Sequence, residues 1–278
     1  SLRVEVHLLA PAFSIANRKP KIYIETMFGL LKYFRRRRIR RRVFPAPWRR
    51  IIEKNVPLFR RLPPADRREL EGHIAVFLDE KKFEGCGGLR ISDEIRVTIA
   101  AQACVLLLHR KDDYFPDLTS ILAYPTSYLA KTEEPGPAGT VDEFKEARLG
   151  ESWKHGTVVL SWEDVLQSGE GCNVVLHEFA HQLDLANGEM DGVPALESAS
   201  DYAEWARVME EEFKRLRRDD NWGRPTVIDP YGTEEPAEFF SVITEAFFED
   251  PVELKKKHPK LYGQLKRFYC QDPAGWKE

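Results

Sequence analysis

The sequence predicts an α+β fold, mainly helical, with a small sheet beside one apolar helix. Three observations predict it. Apolar residues recur at spacings of three and four over several long segments, which is the helical period. Only two short runs are rich in β-branched and aromatic residues. Proline and glycine punctuate the chain at the ends of these segments.

Taken in order, residues 1–42 read as poorly ordered. Seven arginines fill eight positions from Arg35 to Arg42, and no acidic residue stands among them, so the run is expected to be a solvated basic arm. Residues 1–26 are expected to be non-native, with Met27 opening the coherent protein. Phe44 to Arg61 is punctuated by Pro45, Pro47 and Pro57. Pro63-Pro64 then starts a helix, because proline suits a first helical turn. Leu70, Ile74, Phe77 and Leu78 form its apolar face, and it is expected to run to about Lys82. Gly85-Cys86-Gly87-Gly88 interrupts the chain. Ser92 and Asp93 offer caps for a second helix through Ile99, Ala103 and Leu107, apolar almost all round and so expected to be buried. Ile121 to Tyr124 and Thr157 to Trp162 read as strands, with a loop or hairpin tip at Lys131 to Gly139 between them. A helix is expected from Cys172 to Leu185, stopped by Asn187-Gly188. A charged helix follows from Tyr202 to Arg218, then another from Pro236 to the Asp250-Pro251 stop, and a last one from about Pro259 to Tyr269. The expected organisation is a basic arm (1–43), a single domain (44–270) and a tail (271–278).

Composition bounds the function. The 278 residues suffice for one large domain, and 42% apolar residues supply a sizeable core. With 31% charged residues and a net charge of −3, the balance is ordinary for a soluble protein and does not point to nucleic acid. The arginine run offers phosphate contacts, but no recognisable DNA-binding motif accompanies it. The four cysteines, Cys86, Cys104, Cys172 and Cys270, form no CxxC pair and read as reduced thiols of a cytoplasmic protein. Ile22 to Phe34, broken by Glu25 and Lys32, falls short of the ~20 apolar residues a membrane span needs. Glu5 and His7 break any signal-peptide core.

One constellation carries chemistry. His177-Glu178-Phe179-Ala180-His181 places two histidines four apart on a predicted helix, so both imidazoles leave the same face and can reach one metal ion. Glu178, next to the first histidine, is placed as a general base for a water that the metal activates. The pattern points to one Zn2+ per chain and to peptide hydrolysis. A catalytic zinc needs a third protein ligand. The chain does not continue as HExxHxxGxxH, since Asp184 and Asn187 stand where the glycine and third histidine would be. The ligand must come from elsewhere. Glu238 and Glu245, seven apart on the Pro236 helix, share a face. Glu238 is the better ligand candidate, and Glu245 a candidate to hold a ligating histidine by its free N–H. Asp184 is a candidate either to hydrogen-bond a ligating histidine or to support the loop after it.

The segment HEFAHQLD (177–184), followed by a separate PAEFF (236–240), resembles the Mlc titration factor A family, bacterial gluzincin-type zinc peptidases related in their catalytic core to anthrax lethal factor. The resemblance covers roughly residues 44–270. It implies a zincin-like domain with His177, His181 and Glu238 on zinc, Glu178 as general base, and aminopeptidase-like activity on peptides. It also implies a role for Tyr231, seven residues before the ligand glutamate, whose phenol would donate to the oxyanion. In gluzincins the strand before the metal helix, here Thr157 to Trp162, pairs with extended substrate. The resemblance further implies a partner, a transcriptional repressor of sugar uptake, which a member of the family sequesters.

Overall fold

A computed structural model describes residues 12–13, 27–110, 113–126, 156–169 and 172–276. The predicted loop at 131–139 lies outside them. So do residues 1–26, apart from Ala12 and Phe13, whose ring is buried edge-on against Phe213 and Phe239.

The helices in order are α1 (Met27–Arg40), α2 (Ala46–Asn55), α3 (Pro57–Arg61), α4 (Pro64–Glu80), α5 (Asp93–Val105), α6 (Trp162–Leu166), α7 (Val174–Asp184), α8 (Ala199–Asn221), α9 (Pro236–Glu249), α10 (Pro251–Lys257) and α11 (Pro259–Tyr269). Three strands, β1 (Lys82–Gly85), β2 (Ser120–Tyr124) and β3 (Thr157–Ser161), form one parallel sheet in the order β1-β2-β3. Lys82 pairs with Ser120, and Ser120 with Thr157. The α+β, mainly helical architecture agrees with the sequence.

The starts of these helices follow local chemistry. The Ser92 side chain accepts from the Ile95 N–H and caps α5, which is buried from Val97 to Val105. Asn173 does the same for α7 through the Leu176 N–H, at 3.0 Å. Proline sits in the first turn of α2, α3, α4, α9, α10 and α11, where its missing N–H costs nothing. The core joins these pieces. Phe77 of α4, Phe115 of the loop before β2 and Phe179 of α7 form a triangle, with Phe115 and Phe179 4.8 Å apart between ring centroids. Phe240 of α9 packs on Trp205 of α8 and Phe268 of α11.

Three expectations change, and one segment left unassigned by the sequence is resolved. The basic arm is not free from Met27 to Arg40. This segment is α1, and its Ile39 is buried. Arg36 forks onto Glu80 at 2.8 and 2.7 Å, also pairs with Asp113, and lies over the Tyr114 ring. Lys32 meets Asp113, and Arg35 meets Asp79. The balancing acids, missing near the run in sequence, come from α4 and from residue 113. The helix expected to reach Lys82 ends at Glu80, and Lys82–Gly85 is a strand, since its backbone groups are taken by β2. The Pro-punctuated segment folds as α2 and α3, because each proline opens a helix rather than breaking one. The tail is anchored as far as Trp276. Gln271 donates to the Val105 carbonyl, and Trp276 faces Phe248 and Arg61.

Candidate metal centre

The centre is built where α7 crosses α9. On α7 the four-residue spacing sends His177 and His181 out of one face, their ring centroids 4.9 Å apart. On α9 the seven-residue spacing sends Glu238 and Glu245 toward the same histidines. Glu238 bridges the pair, its Oε2 2.9 Å from His177 Nε2 and its Oε1 3.4 Å from His181 Nε2. Glu245 Oε1 lies 2.8 Å from His177 Nδ1 and so holds the back of that ring. The other Glu245 oxygen accepts the Asn173 backbone N–H at 2.5 Å.

This arrangement suits a metal ion. Ligand atoms of His177, His181 and Glu238 all lie within 4.8 Å of one another. Donors bound at 2.0–2.2 Å to one tetrahedral ion sit about 3.4 Å apart, which the His181–Glu238 distance of 3.4 Å matches, while the His177–Glu238 distance of 2.9 Å is shorter. Two imidazoles and a carboxylate also match the donor chemistry of a zinc-type site. The electrostatics agree. Burial works against a charge on His177, but Glu238 and Glu245 outweigh it and raise its pKa to about 10. Burial would raise Glu238, yet the two histidines pull it down to about 2. Burial lowers His181. Glu238, at the point where the two Nε2 atoms converge, and Glu245, behind His177, thus both favour positive charge at the site.

Glu178 points into the same region from α7. It is 1% exposed, and burial, assisted by Glu238 and Glu245, pushes its pKa up to about 8. Its Oε2 has no hydrogen-bond partner among the described residues. A buried carboxyl with a pKa near neutrality and a free oxygen can take up and release a proton.

Tyr231 stands at the rim. Its ring centroid is 6.1 Å from that of His177, and the side chain is 46% exposed. Burial, with Glu238 next, raises its phenol to about 12, so it is a hydrogen-bond donor at neutral pH. A 310 turn at Pro230–Thr233 places it there, started by Asp229 accepting the Tyr231 N–H at 2.8 Å. Gly232 lets the turn close on α9, because a Cβ at that position would lie 2.5 Å from Val242 Cγ2.

Asp184 Oδ2 accepts the Gly192 N–H at 2.7 Å, a bond that supports the loop after α7. Gly192 has φ +76°, and a Cβ there would lie 2.3 Å from the Pro236 carbonyl. The bond therefore holds the loop after α7 where it passes close to the start of α9. Strand β3 lies at one edge of the sheet among the described residues and packs beside α7. Its Val158 and Leu160 face the core.

Sequence reasoning missed Asn173. Its side chain caps α7 and donates to Glu249 Oε1 at 2.8 Å, while its backbone N–H holds Glu245. An Asn directly before Val174-Val175-Leu176 is a capping signal, but its second use depends on α9.

Comparison with known proteins places the chain in a family. A protein of Synechocystis sp. described as uncharacterized is 37% identical over 266 residues, covering 91% of this chain and 97% of that protein. The Mlc titration factor A of Klebsiella pneumoniae (strain 342) is 30% identical, covering 82% of this chain and 86% of its own length. That of Serratia proteamaculans is 31% identical, covering 76% and 84%. The sequence profile of the glucose-regulated metallo-peptidase M90 family matches residues 31–270, a span that takes in the arginine run of α1. The chain belongs to this metallopeptidase family.

Proposed function

We propose that the chain is a zinc-dependent peptidase of the gluzincin type, aminopeptidase-like, with a zincin-like catalytic core acting in the cytoplasm. The observation that carries this reading is the convergence of His177, His181 and Glu238 beside a buried Glu178 whose Oε2 has no hydrogen-bond partner among the described residues. His177, His181 and Glu238 would hold the ion. When bound, zinc supplies an acidified water and polarises the peptide carbonyl. Glu178 would accept the proton of the attacking water and hand it to the departing amine. Tyr231 donates its phenol proton as a hydrogen bond to the developing oxyanion. Glu245 fixes the His177 ring through Nδ1. The edge of β3 that is unpaired among the described residues would offer backbone groups to an extended peptide.

Metal analysis of the purified chain beside Glu238→Ala and Glu178→Gln tests this. The expected result is about one zinc per parent chain, loss of it in Glu238→Ala, and retention in Glu178→Gln with hydrolysis lowered by at least ~10²-fold. Full hydrolysis by Glu178→Gln would overturn the mechanism.

A second reading is favoured by the names of the relatives. Proteins called Mlc titration factor A match most of this chain, so it too would bind a transcriptional repressor. Glu178→Gln separates the two roles, since a folded, zinc-loaded but inactive protein would keep its partner.

A further inference from the structure

Helix α1 meets the rest of the molecule along one side. Lys32, Arg35, Arg36 and Ile39 turn toward α4 and Asp113. At 100° per residue, the other side carries Leu30, Leu31 and Phe34 in the early turns and Arg37 and Arg38 near the end, with Arg41 just past it. Leu31 is 64% exposed and Phe34 59%, and Tyr33 packs edge-on against Phe34 at 5.6 Å. Arg37, Arg38 and Arg41 are exposed as well. No ion pair joins them to another described residue, in contrast to the three cations on the docked side. Large apolar side chains and arginines that are unpaired among the described residues therefore share one outward face. At the helix end, Arg40 and Arg42, with Arg68 of α4, line a groove of about 480 Å3, where Glu71 and Asp79 are already engaged by Arg49 and Arg35.

We propose that this face of α1 lays the protein on an anionic phospholipid surface. The inference rests on α1 alone and is independent of the peptidase reading. Leu30, Leu31 and Phe34 would enter the boundary between headgroups and acyl chains, and the arginines would lie among the phosphates. Charge complementarity chooses the partner. The chain as a whole carries −3, so this concentrated basic face orients it toward an acidic sheet. A nucleic acid would use the arginines but leave the leucines and the phenyl ring in water. The helix lies on the bilayer rather than across it, because its 14 residues span about 21 Å against a ~30 Å hydrocarbon core. No helix among the described residues is long and apolar enough to cross.

Sedimentation of the full chain with vesicles tests this. The expected result is recovery with phosphatidylcholine–phosphatidylglycerol vesicles, little recovery with phosphatidylcholine alone, and loss of binding as salt is raised. The pairs Leu31→Ser with Phe34→Ser, and Arg37→Glu with Arg38→Glu, are each expected to weaken binding roughly tenfold or more. Circular dichroism should stay that of the parent, since all four side chains are exposed. The proposal is overturned if the parent ignores acidic vesicles, if it binds neutral vesicles equally, or if either pair has no effect. Binding to duplex DNA that is tighter than binding to vesicles and indifferent to the Leu31/Phe34 pair would reassign the face to nucleic acid.

Discussion

His177 is held from both sides, Nδ1 by Glu245 and Nε2 by Glu238. A carboxylate on the far nitrogen fixes the tautomer and makes the near nitrogen a stronger donor, an effect worth 10–100-fold in metal affinity. Glu245→Ala is therefore expected to weaken zinc binding by about that factor, as read by chelator competition on the folded protein. Unchanged affinity would leave Glu245 with only its bond to Asn173. Tyr231 tests a different quantity. Its side chain is half exposed, so Tyr231→Phe should leave stability alone and lower kcat by roughly 10²-fold with KM little changed. A parent-like kcat would make it a rim residue. Glu245 was a candidate from its spacing in the sequence, and Tyr231 from the family resemblance alone. Their contacts were not, because each reaches its target only when α9 and the turn before it close on α7.

At the scale of the element, helix starts were easier to read than short strands. The starts at Pro64, Pro236 and Pro259 follow from proline alone. Strand β1 has four residues, too few for a period of two to show, and its identity comes from pairing with β2. Helix α10 buries only Pro251 and Leu254, so its pattern carries little periodicity. The same dependence on neighbours governs Asn173. Asn173→Ala removes the cap of α7 and the tie to Glu249, and is expected to cost about 1–2 kcal/mol, measured as a shift in denaturant midpoint at constant m-value. No shift would show that packing alone sets the start of α7.

Across the whole molecule, charge that is unbalanced along the chain becomes balanced in space. The arginine run finds Asp79, Glu80 and Asp113 on its docked side. Glu69 of α4 shows the same logic in its titration. A hydrogen bond from His73 overcomes the effect of burial, the His109 backbone N–H adds to it, and the carboxyl falls to about 2. A depressed folded-state pKa means that the unfolded chain binds more protons in acid. The stabilisation from Glu69 is therefore complete above about pH 4.5, and is lost as pH falls toward about 2. Glu69→Gln should flatten stability over that window and leave neutral-pH slopes unchanged. An acid limb identical to the parent's would remove Glu69 from the account.

The sequence by itself determined the metal motif, the candidate glutamates and most of the long helices. Those features are written in spacings of three, four and seven residues, which act within a single helix. Only the tertiary structure decided that Glu238 bridges the two histidines, that Glu245 stands behind His177, that Asp184 serves the loop, and that the arginine run is a helix with one docked and one bare face. Each of these is a meeting of residues from 8 to about 80 positions apart. Such contacts depend on how whole helices pack, and no local period in the chain encodes that packing.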